Sequence, residues 1–398
     1  MKKDWKLKSL EDIESITFLR GNGLPKAVLD QEGSFKCVLY GQLYTLYKTP
    51  IIKEVISRTN IVGKILSQNG DVLVPGTTTA DALGIAIARS LKEEGVAIGG
   101  DINIIRTENK EVISDYLSYY LNGPAKLELA SYATGTNIMH LSNKKIKNIE
   151  IPIPSLEEQK QIVAKLDQCF EAIDKAKANA VKNLDNTKEL FQSKLNDIFR
   201  QKGKDWAVKE VGDVCNLIGG GTPSKKNNKF YSGDILWATV RDMKSDVITQ
   251  TEFSITKEAV TKSSTNIIPR GNVIIATRVG LGKVCLINQD TAINQDLRGV
   301  IPKEKSDLLV KFLFWWFKSI SNLIINEGTG ATVQGVKLPF IKSLKIPIPT
   351  KATQINIVAL IDTLQKQTQS LESKYQQELN SLKELKKSIL QKAFEGEL

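Results

Sequence analysis

A single histidine, His140, stands among 398 residues. Ser–His or Cys–His catalysis, and any multi-histidine metal centre, would have to be built on it alone. Its neighbours Met139 and Leu141 give it the setting of an ordinary packed or surface histidine. The four cysteines, Cys37, Cys169, Cys215 and Cys285, lie far apart with no C-x-x-C pair. They suit a reducing cytoplasm and offer no ligand set, so no metal is expected. No GxxxxGK[ST] phosphate loop occurs, since Gly280-Leu281-Gly282-Lys283 lacks both the spacing and the hydroxyl. Amino-methyltransferase motifs of the N-P-P-Y or D-P-P-Y type are missing as well. Glu158-Gln159-Lys160 has an E-x-K spacing used by some nucleases, but it opens a long polar helix with no acidic strand before it. It reads as a solvated face. Met1-Lys2-Lys3-Asp4-Trp5-Lys6 leads into no apolar segment, so no signal peptide is expected. The most apolar later stretch, 308–325, is broken by Lys311 and Lys318. The expectation is a soluble cytoplasmic protein with no cofactor and no catalysis of its own.

What is abundant is positive charge. Fifty-five Lys and Arg against 44 Asp and Glu give a formal charge of +11 and a pI near 9.2. That balance argues for a polyanionic partner.

The chain also repeats itself. Ile149-Glu150-Ile151-Pro152-Ile153-Pro154-Ser155 returns as Leu344-Lys345-Ile346-Pro347-Ile348-Pro349-Thr350. Alternate prolines forbid helix and forbid a central strand position in both copies. A long Lys- and Gln-rich run of helical period follows each one. Ser155 and Glu158 have capping-box spacing, and Thr350 can cap the second helix, with Thr353 where a Glu would close the box. Apolar residues recur four and three apart in both runs. The first includes Ile162, Leu166, Ile173 and Ala180, the second Ile361, Leu364, Leu371, Leu382 and Ile389. A stripe this narrow, kept up for this long, suits a coiled-coil seam. From Ser155 to Arg200 a continuous helix would span about 65–70 Å.

Further anchors repeat in constant order. Trp5-Lys6-Leu7 corresponds to Trp206-Ala207-Val208, and Gly70-Asp71-Val72-Leu73-Val74 to Gly271-Asn272-Val273-Ile274-Ile275. Ala97-Ile98-Gly99-Gly100-Asp101-Ile102 corresponds to Ala292-Ile293-Asn294-Gln295-Asp296-Leu297. Tyr116-Leu117 matches Phe312-Leu313, and Gly135-Thr136 matches Gly330-Ala331. The chain therefore parses as domain 1–150, helix 151–203, domain 204–345 and helix 346–398. Each domain is expected to be mixed α/β, an α+β class, with strands at 72–74, 84–88 and 103–105 and again at 273–277 and 283–287. The aromatic block Phe312, Phe314, Trp315, Trp316, Phe317 reads as a buried helix. Two equivalent domain–helix units pair their seams most simply about a two-fold axis, which makes the helices antiparallel.

The framework repeats but the loops do not. In the first domain the candidate nucleic-acid contacts are Lys26, Tyr40, Tyr44, Lys48, Thr77 and Thr78. In the second they are Thr222, Ser224, Lys225, Lys226, Asn227, Arg241, Lys244, Arg278, Lys283 and Gln334. These types supply hydrogen bonds to phosphates and base edges.

Two variable domains, each followed by an I-P-I-P segment and a long helix with Gln near its start (Gln159, Gln354), resemble the specificity subunit of type I restriction-modification systems. Gly220-Gly221-Thr222-Pro223-Ser224 to Gly233-Asp234-Ile235-Leu236-Trp237 is similar to the opening of one kind of target-recognition domain in that family. Tyr40-Gly41-Gln42-Leu43-Tyr44 looks like another kind. The resemblance covers essentially the whole chain. It implies a non-catalytic subunit whose two target-recognition domains each read half of a bipartite, asymmetric site in double-stranded DNA. It also implies an antiparallel coiled coil that sets the spacer. Two methyltransferase subunits carrying the S-adenosylmethionine site, and restriction subunits with translocase and nuclease activity, are the implied partners. The competing reading is a coiled-coil scaffold or adaptor that binds protein. A nuclease or methyltransferase in its own right is opposed by the missing motifs.

Overall fold

The computed structural model describes residues 4–24, 29–201, 203, 206–330 and 334–398. Two compact units share the chain: Met1–Val181 with Gln377–Leu398, and Lys182–Gln376. The first unit contains, in chain order, β1 (Lys6–Ser9), β2 (Ile16–Arg20), β3 (Ile51–Ile52), β4 (Asp71–Pro75), β5 (Arg89–Leu91) and β6 (Ile102–Thr107). Helix α1 (Ser114–Asn122), β7 (Glu150–Ile153) and the start of α2 (Leu156–Arg200) follow. The second unit takes the end of α2, then β8 (Ala207–Glu210), β9 (Cys215–Gly219), β10 (Val247–Ile248), β11 (Val273–Ala276), β12 (Val284–Ile287) and β13 (Leu297–Pro302). It continues with α3 (Val310–Ser319), β14 (Lys345–Ile348) and the first part of α4 (Lys351–Glu395), whose end belongs to the first unit.

The duplication is visible in the hydrogen-bond registers. The main sheet of the first unit has strand order β2-β6-β4-β5-β3, that of the second β9-β13-β11-β12-β10. Val72 sits opposite Ser90 as Val273 sits opposite Leu286. Both proline-bearing segments are extended and form two-stranded ladders, Leu7 facing Pro152 and Val208 facing Pro347. Gly70 and Gly271 both stand at positive φ, 89° and 76°, where only glycine turns into the following strand without strain.

The aromatic block is a buried helix: Phe312, Phe314, Trp315, Trp316 and Phe317 all point into the core of the second unit. One strand expectation fails. Gly84-Ile85 belongs to a helical turn, Ala82–Ile85, because the Asp81 carboxylate accepts the Gly84 N–H at 2.8 Å and caps it. The strand begins only at Arg89.

Both long helices start where their caps dictate. Ser155 and Glu158 close a capping box, with Glu158 N–H to Ser155 Oγ at 3.3 Å and Ser155 N–H to Glu158 Oε2 at 3.2 Å. Thr353 N–H donates to Thr350 Oγ1 at 3.3 Å. In the first unit, the start of α2 packs beside the end of α4, where Leu166 and Ile173 share a core with Ala393 and Phe394. In the second unit, Leu195 and Phe199 from the end of α2 share a core with Ile361 from the start of α4. Start beside end in each unit makes the pair antiparallel.

Along α2, Ile162, Leu166, Ile173 and Ala180 are buried. Along α4, Ile361 is buried and Leu364, Leu382 and Ile389 are half-buried, but Leu371 is 43% exposed. Among the half-buried residues beyond Ile361, Gln365, Thr368, Glu372, Tyr375, Leu379, Leu382, Lys386 and Ile389 stand alternately three and four apart, with Asp362, Leu364 and Leu390 half-buried beside them. Leu371 stands one position off that register, which Glu372 holds instead. The alternation of three and four keeps one stripe aligned along the helix, so a one-residue shift turns a side chain off it by about 100°.

Candidate nucleic-acid interface

In the second unit the loop after β9 crosses the edge of a four-stranded sheet with order Phe253–Ile255, Ile235–Ala238, Thr291–Ile293, Asn266–Ile268. A Cβ on Gly220 would lie 2.2 Å from the Ile293 carbonyl oxygen, so only glycine lets the loop approach this closely. Gly221 N–H donates to Ile293 O at 3.0 Å, Trp237 Nε1 to Gly221 O at 3.1 Å, and the Tyr231 hydroxyl to Pro223 O at 2.7 Å. The loop is pinned at its base, and Ser224, Lys225 and Lys226 stand exposed beyond it.

That loop forms one wall of a concavity of about 940 Å³. Thr222, Lys225 and Arg241 line it, together with Asn228, Asn294 and Gln295. Thr239 and Asp242 close a capping box that turns Arg241 outward, where its guanidinium lies 3.7 Å from Glu252. The Thr222 hydroxyl bonds to the Gln295 side-chain oxygen, and Asn294 Nδ2 donates to Asp296 Oδ2 at 3.0 Å. The wall thus carries hydrogen-bonded amide and hydroxyl groups beside the cationic Lys225 and Arg241, the donor–acceptor mix that reads base edges and phosphates.

The other residues expected in this unit are dispersed. Arg278 is half-exposed, 3.9 Å from Asp296. Lys283 Nζ reaches the Val240 carbonyl at 3.4 Å. Lys244 and Gln334 are exposed, and the Gln334 carbonyl accepts the Val279 N–H at 3.3 Å. Asn227 is half-buried at the base of the loop. Its side-chain oxygen accepts the Lys229 N–H at 3.2 Å and caps a short 3-10 turn, so that atom serves the loop itself.

In the first unit a concavity of about 860 Å³ is lined by Tyr40, Gln42, Thr45, Leu46, Gly100 and Asp101. Arg20 meets Asp101 there at 2.9 Å. Tyr44 is half-buried; its hydroxyl donates to Thr77 O at 3.3 Å, and burial pushes its pKa up to about 12. Thr77 is half-buried. Thr78 is 6% exposed and its hydroxyl oxygen accepts the Ala80 N–H. Lys48 is exposed but lines a different cleft from Tyr40. Lys26 lies outside the described residues.

Asn294 and Gln295 were missed among the sequence candidates, yet their signal was present. They replace Gly99-Gly100 inside an otherwise matching anchor, and the framework around them is shared: Gly76 N–H donates to Asp101 O at 2.6 Å as Thr277 N–H does to Asp296 O at 2.9 Å. His140 is exposed; its backbone pairs with Thr134 as Gly335 pairs with Thr329. Among the described residues there is no cluster of His, Cys, Asp and Glu that could hold a metal, and no helix long and apolar enough to cross a membrane.

A family model for the type I restriction modification DNA specificity domain matches residues 2–183 and again 203–381. The type I restriction enzyme EcoR124I/EcoR124II specificity subunit of Escherichia coli is 31% identical over 277 residues, 66% of this chain and 66% of that protein. The MjaVIII specificity subunit of Methanocaldococcus jannaschii is 25% identical over 382 residues, 87% of this chain and 83% of that protein. The aligned chain thus spans slightly under two thirds of the E. coli relative. The HsdS subunit from Thermoanaerobacter tengcongensis has a TM-score of 0.63 at 20% identity, covering 100% of this chain and 98% of that one, a likeness of fold.

Proposed function

Because the chain belongs to the type I restriction-modification DNA specificity family, we propose that it is the subunit that reads DNA for such a complex and performs no chemistry itself. Family membership removes the reading of the coiled coil as a mere adaptor. Each unit reads one half of a bipartite site, and since the two sets of loops differ, the halves differ in sequence. The observation that carries this is the shared framework with unshared walls: Gly99-Gly100 in one unit, Asn294-Gln295 in the other, on the same backbone hydrogen bonds.

Exposed lysines supply salt-dependent, sequence-independent affinity, and the amide-lined wall supplies base discrimination. The long helices set the number of unread base pairs and carry two methyltransferase subunits, which restriction subunits join. The complex works in the cytoplasm. Mapping methylated adenines in DNA exposed to the assembled complex tests the reading. The expected result is one asymmetric split motif at every modified site. Methylation without any split motif, or turnover by the isolated chain lost on mutating one of its residues, would overturn it.

A further inference from the structure

The two units differ at one matched place away from the base-reading walls. Ser90 N–H donates to Pro50 O, and Leu286 N–H donates to Asp246 O, both at 2.8 Å, so Pro50 and Asp246 hold the same position. By the paired registers, Arg89 matches Cys285. By their place on α1 and α3, nine residues past Ile113 and Leu309, Asn122 matches Lys318.

In the second unit the place is closed internally. Lys318 Nζ meets Asp246 Oδ1 at 2.6 Å, and Gln365 of α4 bonds to the same carboxylate. In the first unit the carboxylate is a proline and the lysine an asparagine, and the cation stands instead at Arg89, where the second unit has Cys285. Arg89 is only 7% exposed. Its guanidinium bonds to neutral groups: Tyr47 O at 2.7 Å, Ala88 O at 3.0 Å and Asn122 Oδ1 at 3.2 Å. Among the described residues no carboxylate lies within ion-pair distance of it. Burial lowers its pKa to about 10, and burial and Arg89 together lower that of Lys126. A buried cation without a counter-charge is costly, and an arriving anion relieves that cost.

Arg89 and Lys126 open onto a cleft of about 880 Å³ formed within the first unit. Its other side is α4, with Lys383 and Lys387 exposed, while Lys386 is occupied by Asp174 at 3.1 Å and by the Phe170 ring. The lining is also apolar. Phe170, Leu382 and Leu390 form part of it, and Leu127 at its rim is 73% exposed. A duplex backbone is convex and has no use for an exposed leucine. A side chain on a slender stem can reach a guanidinium this deep, and an apolar helix face can cover the leucines.

We infer that this cleft docks an acidic amphipathic helix of a partner protein, one of whose carboxylates takes beside Arg89 the place that Asp246 takes beside Lys318. The basic lining selects acidic partners, and the second unit, already neutralised, offers no such seat.

The test uses the full chain and a synthetic helical peptide of about five turns with leucines on one face and glutamates on the other. Calorimetry should give a Kd below about 100 µM. Binding should weaken at least about tenfold in the Lys383→Glu/Lys387→Glu double variant, in Arg89→Gln, and for a peptide carrying Gln in place of Glu. Lys351→Glu, on an exposed position of α4 in the other unit, should leave it unchanged. The surface lysine variant keeps the test decisive if Arg89→Gln does not fold. Absence of binding, equal binding by all variants, or displacement of the peptide by a short random duplex would each overturn the inference; the last would assign the cleft to nucleic-acid phosphate.

Discussion

The side chain of Gln159 clasps the main chain at Ile113. Its Oε1 accepts the Ile113 N–H at 2.8 Å while its Nε2 donates to Glu111 O at 2.8 Å and to Pro154 O at 3.0 Å. Gln354 makes the same three bonds in the second unit, to Leu309 N–H at 2.9 Å, Asp307 O at 2.6 Å and Pro349 O at 3.0 Å. Both glutamines are fully buried. Each fixes the first turn of a long helix to the loop that launches α1 or α3, so helix and domain start from one fixed point.

Replacing Gln159 by Ala removes all three bonds and takes the partner from a part-buried N–H and two carbonyls. Net hydrogen bonds and orphaned groups together set the expected loss at about 2–4 kcal/mol. Denaturant unfolding of the full chain should show it, and Gln354→Ala should match it. A loss near zero in both would mean that the clasp is incidental.

Lys225 and Lys226 stand exposed beside the wall of the second unit, so they are expected to contact phosphate. Changing either to Ala should weaken all duplexes alike and reduce the slope of log K against log salt by about one. Gln295→Ala should act differently, relaxing preference at one base position by about 1–3 kcal/mol. Competition binding with single-base-pair variants separates these cases. If the lysine changes altered base preference, the assignment of phosphate and base contacts would be reversed.

Exchanging residues 205–345 for another domain of the family should change one half-site and leave the other untouched. The reason is structural: each unit has its own sheet, its own core and its own walls. Selection from randomised DNA would show this, and simultaneous change of both half-sites would sink the modular reading.

A matched heptad inserted into α2 and α4 keeps both stripes in register and adds about 10 Å of helix. At roughly 3.4 Å per base pair the preferred spacer should grow by at most about three. Both half-site sequences should stay the same. Spacer libraries read this directly. An unchanged spacer, with the insertion confirmed helical, would mean that something else measures the distance.

The duplication, the proline-bearing edge strands, the capped starts of both helices and the buried aromatic helix were legible in the residues, because each depends on local chemistry or on a repeated pattern. Proline without an N–H, a hydroxyl three residues before a carboxylate, and glycine at a turn act within a few residues of themselves. Three things were decided elsewhere. Along α4, Glu372 is half-buried while Leu371 beside it is 43% exposed, a difference set by which face of the helix each occupies. The strand expected at Gly84 gives way to a turn capped by Asp81. The meaning of Arg89 depends on Tyr47 and Pro50 on one side and Asn122 on the other, each more than thirty residues from it in sequence and brought to it by the fold. A lone arginine in a sequence carries no sign that its counter-charge is missing; burial among neutral groups creates that condition, and burial belongs to the tertiary structure.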